Sequence, residues 1–193
     1  MTMRFRSATK RLVIVMALAW AAPALLAVDV TIEHDKMLDF STIRTWAWNP
    51  ETAGYVKMAR TQEDDPEAMQ KIAEPVIMSA VSNEMARRGL KQAPDASLVV
   101  TYYLLLSTAT SAQTIGQFLP ATTQWGVPPY NAATQSLEMM NHGALVLDMS
   151  AKDVIVWRGV ADAKIKRETE NPKREDLIRE AVRDLLKKFP PKD

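Results

Sequence analysis

Apolar and polar residues recur along this chain with two periods, two residues in some stretches and about 3.6 in others, and each period marks a different element. Val28, Val30 and Ile32 alternate with Asp29, Thr31 and Glu33, which reads as a strand with one wet face. In DFSTIRTWAWNP, residues 43–48 form a second strand that Asn49-Pro50 stops. Residues 51–65 are polar, include QEDD, and are expected to form an exposed loop. Pro66 opens a helical pattern that runs to about Arg88, with Ala73, Val76, Ile77, Ala80, Val81 and Met85 on one stripe. Pro75 lacks an N–H and crowds the preceding turn. The pattern therefore predicts a kink there, or a helix that begins near Glu74 with Pro75 in its first turn. Gly89 is the expected stop.

Residues 98–106 are almost wholly apolar, the mark of a central strand covered on both faces. Residues 108–135 carry little charge, are rich in Thr, Ala, Gln and Pro, and include WGVPPY, so a long loop is expected over about 108–142. GALVLDMSAKDVIVWRGVADAKI then reads as two strands around a turn at Ala151-Lys152-Asp153. Simple alternation sends Val154, Val156 and Val160 one way and Ile155, Trp157 and Ala161 the other, with Gly159 as a bend or bulge. The last element is a helix. Asn171 caps it, Pro172 takes the first position, and Glu175 and Asp176 suit its positive end. Leu177, Ile178, Ala181, Val182, Leu185, Leu186 and Phe189 form its apolar stripe, Lys187 and Lys188 suit its negative end, and Pro190-Pro191 closes it. The order strand, strand, helix, strand, strand, strand, helix predicts an α+β fold. Its expected form is a mostly antiparallel sheet of about five strands with two amphipathic helices packed on one face.

Composition changes the picture at the N-terminus. Arg4, Arg6, Lys10 and Arg11 precede an uncharged run of 17 residues, 12–28, broken by Pro23 and followed by small residues up to Ala27. This is the layout of a secretory signal peptide, with cleavage expected after Ala27 and Ala24 as second choice. An uncleaved segment would be the only membrane attachment. Residues 1–27 are thus a leader and 28–193 a single domain. Removing the leader leaves 20 Lys+Arg against 23 Asp+Glu, which speaks against a nucleic-acid footprint. With no cysteine, the fold holds by burial, and thiolate chemistry, Cys-based zinc sites and lipid attachment at an N-terminal Cys are excluded.

Candidate chemistry is sparse. His34 and His142 are the only imidazoles, and no Ser sits in a nucleophile-elbow context. EMMNH places Met139, Met140 and His142 together, a soft donor set suited to Cu(I), although Met also fills core gaps. Asp35, Asp39 and Asp148 lack the spacing of a calcium loop and are expected in caps and turns. Trp157-Arg158 would stack as an exposed cation–π pair, but its apolar surroundings favour a buried Trp that anchors the sheet to the C-terminal helix. Trp125, Pro128, Pro129 and Tyr130 in the uncharged loop are the expected partner-binding residues.

Several stretches together resemble a bacterial envelope family known as domain of unknown function 4136. They are DFSTIRTWAW, ARRGL with PDASLVVTYY, GALVLDM with VIVWRGVA, and IREAVRDLLKKFPP, in the family's order over nearly the whole domain. The resemblance implies a cell-envelope protein and supplies no reaction or catalytic residue. Members are often lipoproteins, whereas LLAV stands here where a lipid-bearing Cys is needed, so a soluble periplasmic form is expected. The expected function is a non-catalytic binding or accessory module without cofactor, its partner an envelope protein or glycan. The rival readings are an envelope hydrolase using His142 and a Met/His copper carrier.

Overall fold

The alternating stretch that opens the domain is an edge strand. β1 (Asp29–His34) pairs antiparallel with β7 (Val154–Lys164), and the structure, a computed structural model, describes residues 28–59, 65–107, 142–164 and 171–190. β7 pairs with β6 (His142–Ala151), and β6 with β5 (Leu98–Ser107), all antiparallel. Beyond β5 the direction changes. β2 (Thr45–Trp48) and β3 (Gly54–Ala59) both lie parallel to β5 on its other edge, and the short β4 (Lys91–Gln92) runs parallel to β2. The sheet is therefore mixed and has seven strands, not about five mostly antiparallel ones.

The two added strands are β4, between α1 and β5, and β3, which arises in residues 51–65, expected as a loop. After β2 the chain swings out and returns to the same edge of β5. Asn49 N donates to Val100 O (3.0 Å) on leaving, and Tyr102 N donates to Ala53 O (3.0 Å) on re-entry. Tyr55, Val56 and Lys57 then alternate like any strand, with Val56 buried. Two parallel strands need a long crossover, and α1 (Pro66–Arg87) provides it between β3 and β5. Asp65 caps α1, its carboxylate accepting from Glu67 N and Ala68 N, and Pro66 occupies the first turn. Contrary to a start near Glu74, α1 runs through Pro75. Pro75 is exposed, so the carbonyl that loses its amide partner there can meet water. At the other end Gly89 has φ +79°, Leu90 N donates to Met85 O (3.1 Å) and Gly89 N to Ala86 O (2.9 Å). This is a Schellman close with buried Leu90 against buried Met85.

Both faces of the central strands are buried, as the apolar run of β5 predicts. One cluster joins Ala73, Ile77, Val81 and Met85 of α1 and Ala181, Val182, Leu185 and Leu186 of α2 (Asn171–Lys187) to alternate residues of β2, β3, β5, β6 and β7. Trp157 is fully buried in it, its ring 5.6 Å edge-on from Phe189 just past α2. The anchoring role expected of this Trp is what the fold uses. A second, smaller cluster is Tyr103, Leu105, Ala144, Val146 and Val160. Both helices contribute to the first cluster and neither to the second.

Two details of the β6–β7 hairpin depart from simple alternation. Lys152 and Asp153 both have positive φ (51° and 63°), forming a two-residue turn between paired Ala151 and Val154. Met149 then pairs with Trp157 and Ser150 with Ile155, so Val156 is an extra bulge residue. Val156 and Trp157 consequently both join the helix-side cluster, against the expectation that they point apart. Gly159 is in register and is not the bulge. Its role is clearance, since a Cβ there would stand 2.5 Å from Cη2 of Trp157 and 2.8 Å from Cδ2 of Leu185.

Candidate functional site

On the sheet face away from the helices, one register line carries three charged residues. Glu33 of β1 lies opposite Arg158 of β7, and Arg158 lies opposite Asp148 of β6. The next residue along this line is Thr101 of β5, whose Oγ1 accepts from Asn49 Nδ2 (3.3 Å). Arg158 Nε donates to Asp148 Oδ1 and Nη2 to Oδ2, both at 2.6 Å, with the side chains only 1% and 3% exposed. A fork on a carboxylate is the arrangement that best repays the desolvation of both ions. Burial pushes the Asp148 carboxyl upward, and the guanidinium opposes that push. Glu33 is likewise pushed upward by burial, with Arg158 pulling the other way. Asp148 and Arg158 spend their chemistry on each other.

An accessible part of this face lies at β3. Tyr55 stacks on its cross-strand partner Tyr103, ring centroids 5.7 Å apart and planes 22° apart. Tyr103 is buried, whereas Tyr55 is 40% exposed, and Nζ of Lys57 sits 5.2 Å from the centroid of its ring. Burial and the nearby Asp148 carboxylate push the Tyr103 hydroxyl up to about 12, so it stays neutral at physiological pH. The helix side has its own polar contact. Tyr102 donates to Glu74 Oε2 (2.7 Å), and Gln70 Nε2 donates to the same oxygen (3.0 Å). Burial and the Glu74 carboxylate both raise the Tyr102 hydroxyl.

Of the residues singled out in the sequence, the structure brings Asp148 and Arg158 together. Trp125, Pro128, Pro129, Tyr130, Met139 and Met140 lie outside the described residues, as does the leader. His142 begins β6 between Ser107 and Lys164. His34 ends β1 and meets Phe40 edge-on at 6.0 Å. Asp35 accepts from Met37 N (2.8 Å), and Asp39 caps a short 3-10 turn at Phe40–Thr42, the roles expected of them. Asp148 is a correction, for it sits mid-strand in the buried pair and not in a turn. Arg158 is buried beside the buried Trp157, so the exposed cation–π pair, the less favoured reading, is the one that fails. The signal for this pair was the single acid of β6 and the first charge of β7, equally far from the turn but for the single bulge residue. Tyr55 and Lys57 left no comparable signal, since their strand was hidden in a polar stretch. Among the described residues, no group of three or more His, Cys, Asp or Glu is placed to hold a metal ion.

No curated protein matches this chain in sequence. Among solved structures, it is similar to a DUF4136 family protein from Bacteroides thetaiotaomicron VPI-5482, at 17% identity and a TM-score of 0.47 over 84% of this chain and 96% of that one. It is also similar to the PelC dodecamer from Paraburkholderia phytofirmans, at 10% identity and a TM-score of 0.43 over 86% of this chain and all (100%) of that one. The model of the family described as Domain of unknown function (DUF4136) matches residues 30–191, and the chain belongs to that family.

Proposed function

We propose that this protein is exported to the bacterial envelope and acts there as a non-catalytic binding or accessory module that meets an envelope partner through the outer side of β3. The basic head, apolar run and small residues of the first 27 positions support export. The observation that carries the binding role is Tyr55. It is a large aromatic left 40% exposed, yet held by its stack on buried Tyr103 and flanked by the Lys57 ammonium. A rigid ring with a polar tip offers contact area at small entropic cost, the chemistry found at interface anchors. Catalysis asks for ionisable groups free to change state during a reaction. Here the buried Asp148 and Arg158 hold each other, and the Tyr103 hydroxyl keeps its proton.

The test is a photo-crosslinking residue at position 55 of the full chain, activated in intact cells, with exposed Lys173 as control site. A discrete adduct at 55 and not at 173, weakened by Lys57→Glu, is expected. Equal labelling at both sites overturns the surface. Turnover of peptidoglycan or ester substrates by the purified protein overturns the non-catalytic reading.

A further inference from the structure

Glu33 is unlike the other members of its register line. Both oxygens of Asp148 are taken by Nε and Nη2 of Arg158. Glu33 faces that same guanidinium, yet its Oε2 is shut off from solvent and has no hydrogen-bond partner among the described residues. A buried carboxylate oxygen without a donor is costly as an anion, and much less so once it carries a proton. Glu33 also sits on an edge strand, held by β7 on one side only. Asp35 N donates to Val156 O (2.8 Å), and antiparallel alternation therefore turns the Thr31 and Glu33 amides toward β7 and the Val30 carbonyl outward. Lys188 Nζ covers that carbonyl at 2.9 Å.

We infer that β1 is fastened to the sheet by a proton-dependent contact: a proton taken up at Glu33 tightens this edge strand against β7, and its release loosens it. Other charged groups on the neighbouring elements do not supply this device. On β7, Arg158 faces Glu33 and Asp162 lies opposite Asp29, while Asp148 lies beyond Arg158 on β6. On β1 itself, Asp35 is engaged with Met37 N, and His34 packs on Phe40 on the opposite face. Following α2, Lys188 holds the Val30 carbonyl. The sign follows from burial. A carboxyl raised above its ordinary value in the docked strand binds its proton more tightly there than in the released strand. Docking is then strongest below the ordinary carboxylate range and weakens as pH rises through the docked-state value. A loosened β1 uncovers the backbone edge of β7, which can pair with another extended segment.

Native-state hydrogen exchange on the full chain, from about pH 4 to about pH 8 and corrected for intrinsic rates, tests this. The Thr31 and Glu33 amides should lose protection several-fold as pH rises, while Tyr102 and Leu147 in the central strands stay constant. Glu33→Gln, which keeps the shape and cannot ionise, should hold the two edge amides at their acid-side protection throughout. Glu33→Asp should restore a pH dependence. Flat protection in the wild-type chain overturns the inference. Persistence of the dependence in Glu33→Gln also overturns it and moves the effect to another group such as His34.

Discussion

At the residue scale, the Asp148–Arg158 pair and Trp157 show how differently buried side chains hold a fold. Arg158→Met leaves the Asp148 carboxylate buried and uncompensated, a loss expected at about 3–5 kcal/mol. Changing both partners to apolar residues of similar volume should recover most of it, because the desolvation cost goes with the charges. Urea titrations of the two single variants and the double variant check this, and an equal loss in all three would contradict it. Trp157→Ala removes a fully buried ring packed on Phe189 and should cost about 3–5 kcal/mol. A loss below about 1 kcal/mol, typical of surface changes, would contradict its placement. The burial of Trp157 was legible from its apolar run. The burial of Arg158 was not, because a single charge in a strand reads as a solvent position until its partner across the hairpin is paired with it.

At the element scale, what the sequence makes legible depends on whether local pattern or tertiary pairing decides an element. α2, with its apolar stripe and its terminal prolines, could be read from the pattern alone, and so could the Gly89 stop of α1. β3 could not, because six residues beside QEDD have too little local preference, and the edge of β5 supplies the hydrogen bonds that make them a strand. The β6–β7 turn is decided by pairing as well. Lys152-Asp153 adopt positive φ that favours an Asn-Gly pair, and the long strands on either side impose it. The double substitution Lys152→Asn with Asp153→Gly should therefore stabilise the protein by about 1 kcal/mol, since the left-handed conformation costs roughly 1–2 kcal/mol for an ordinary residue. The denaturation midpoint should rise without change in slope, and an unchanged midpoint would mean that the turn carries little of this strain.

At the scale of the whole molecule, the two apolar clusters share their strands. β5 sends Leu98, Val100, Tyr102 and Leu104 to the helix side and Tyr103 and Leu105 to the other, and β6 divides its residues in the same way. A sheet buried on only one face would tolerate truncation on the other, whereas here both faces are buried. Leu147→Ala on the helix side and Leu105→Ala on the far side should each cost about 2–5 kcal/mol. Both should shift a single transition seen alike by tryptophan fluorescence and by far-ultraviolet circular dichroism. Among the described residues, Trp46 and Trp157 belong to the helix-side cluster and Trp48 packs against it, so their fluorescence reports on that cluster while circular dichroism weights the whole fold. Were the far side an independent surface layer, Leu105→Ala would leave the midpoint within about 0.5 kcal/mol of the parent. If the two layers melted separately, the probes would diverge in Leu105→Ala and coincide in the parent. Coincident probes with a large loss in both variants would show that the far side of the sheet helps hold the fold, with Tyr55 and Lys57 at its rim among the exposed described residues of that face.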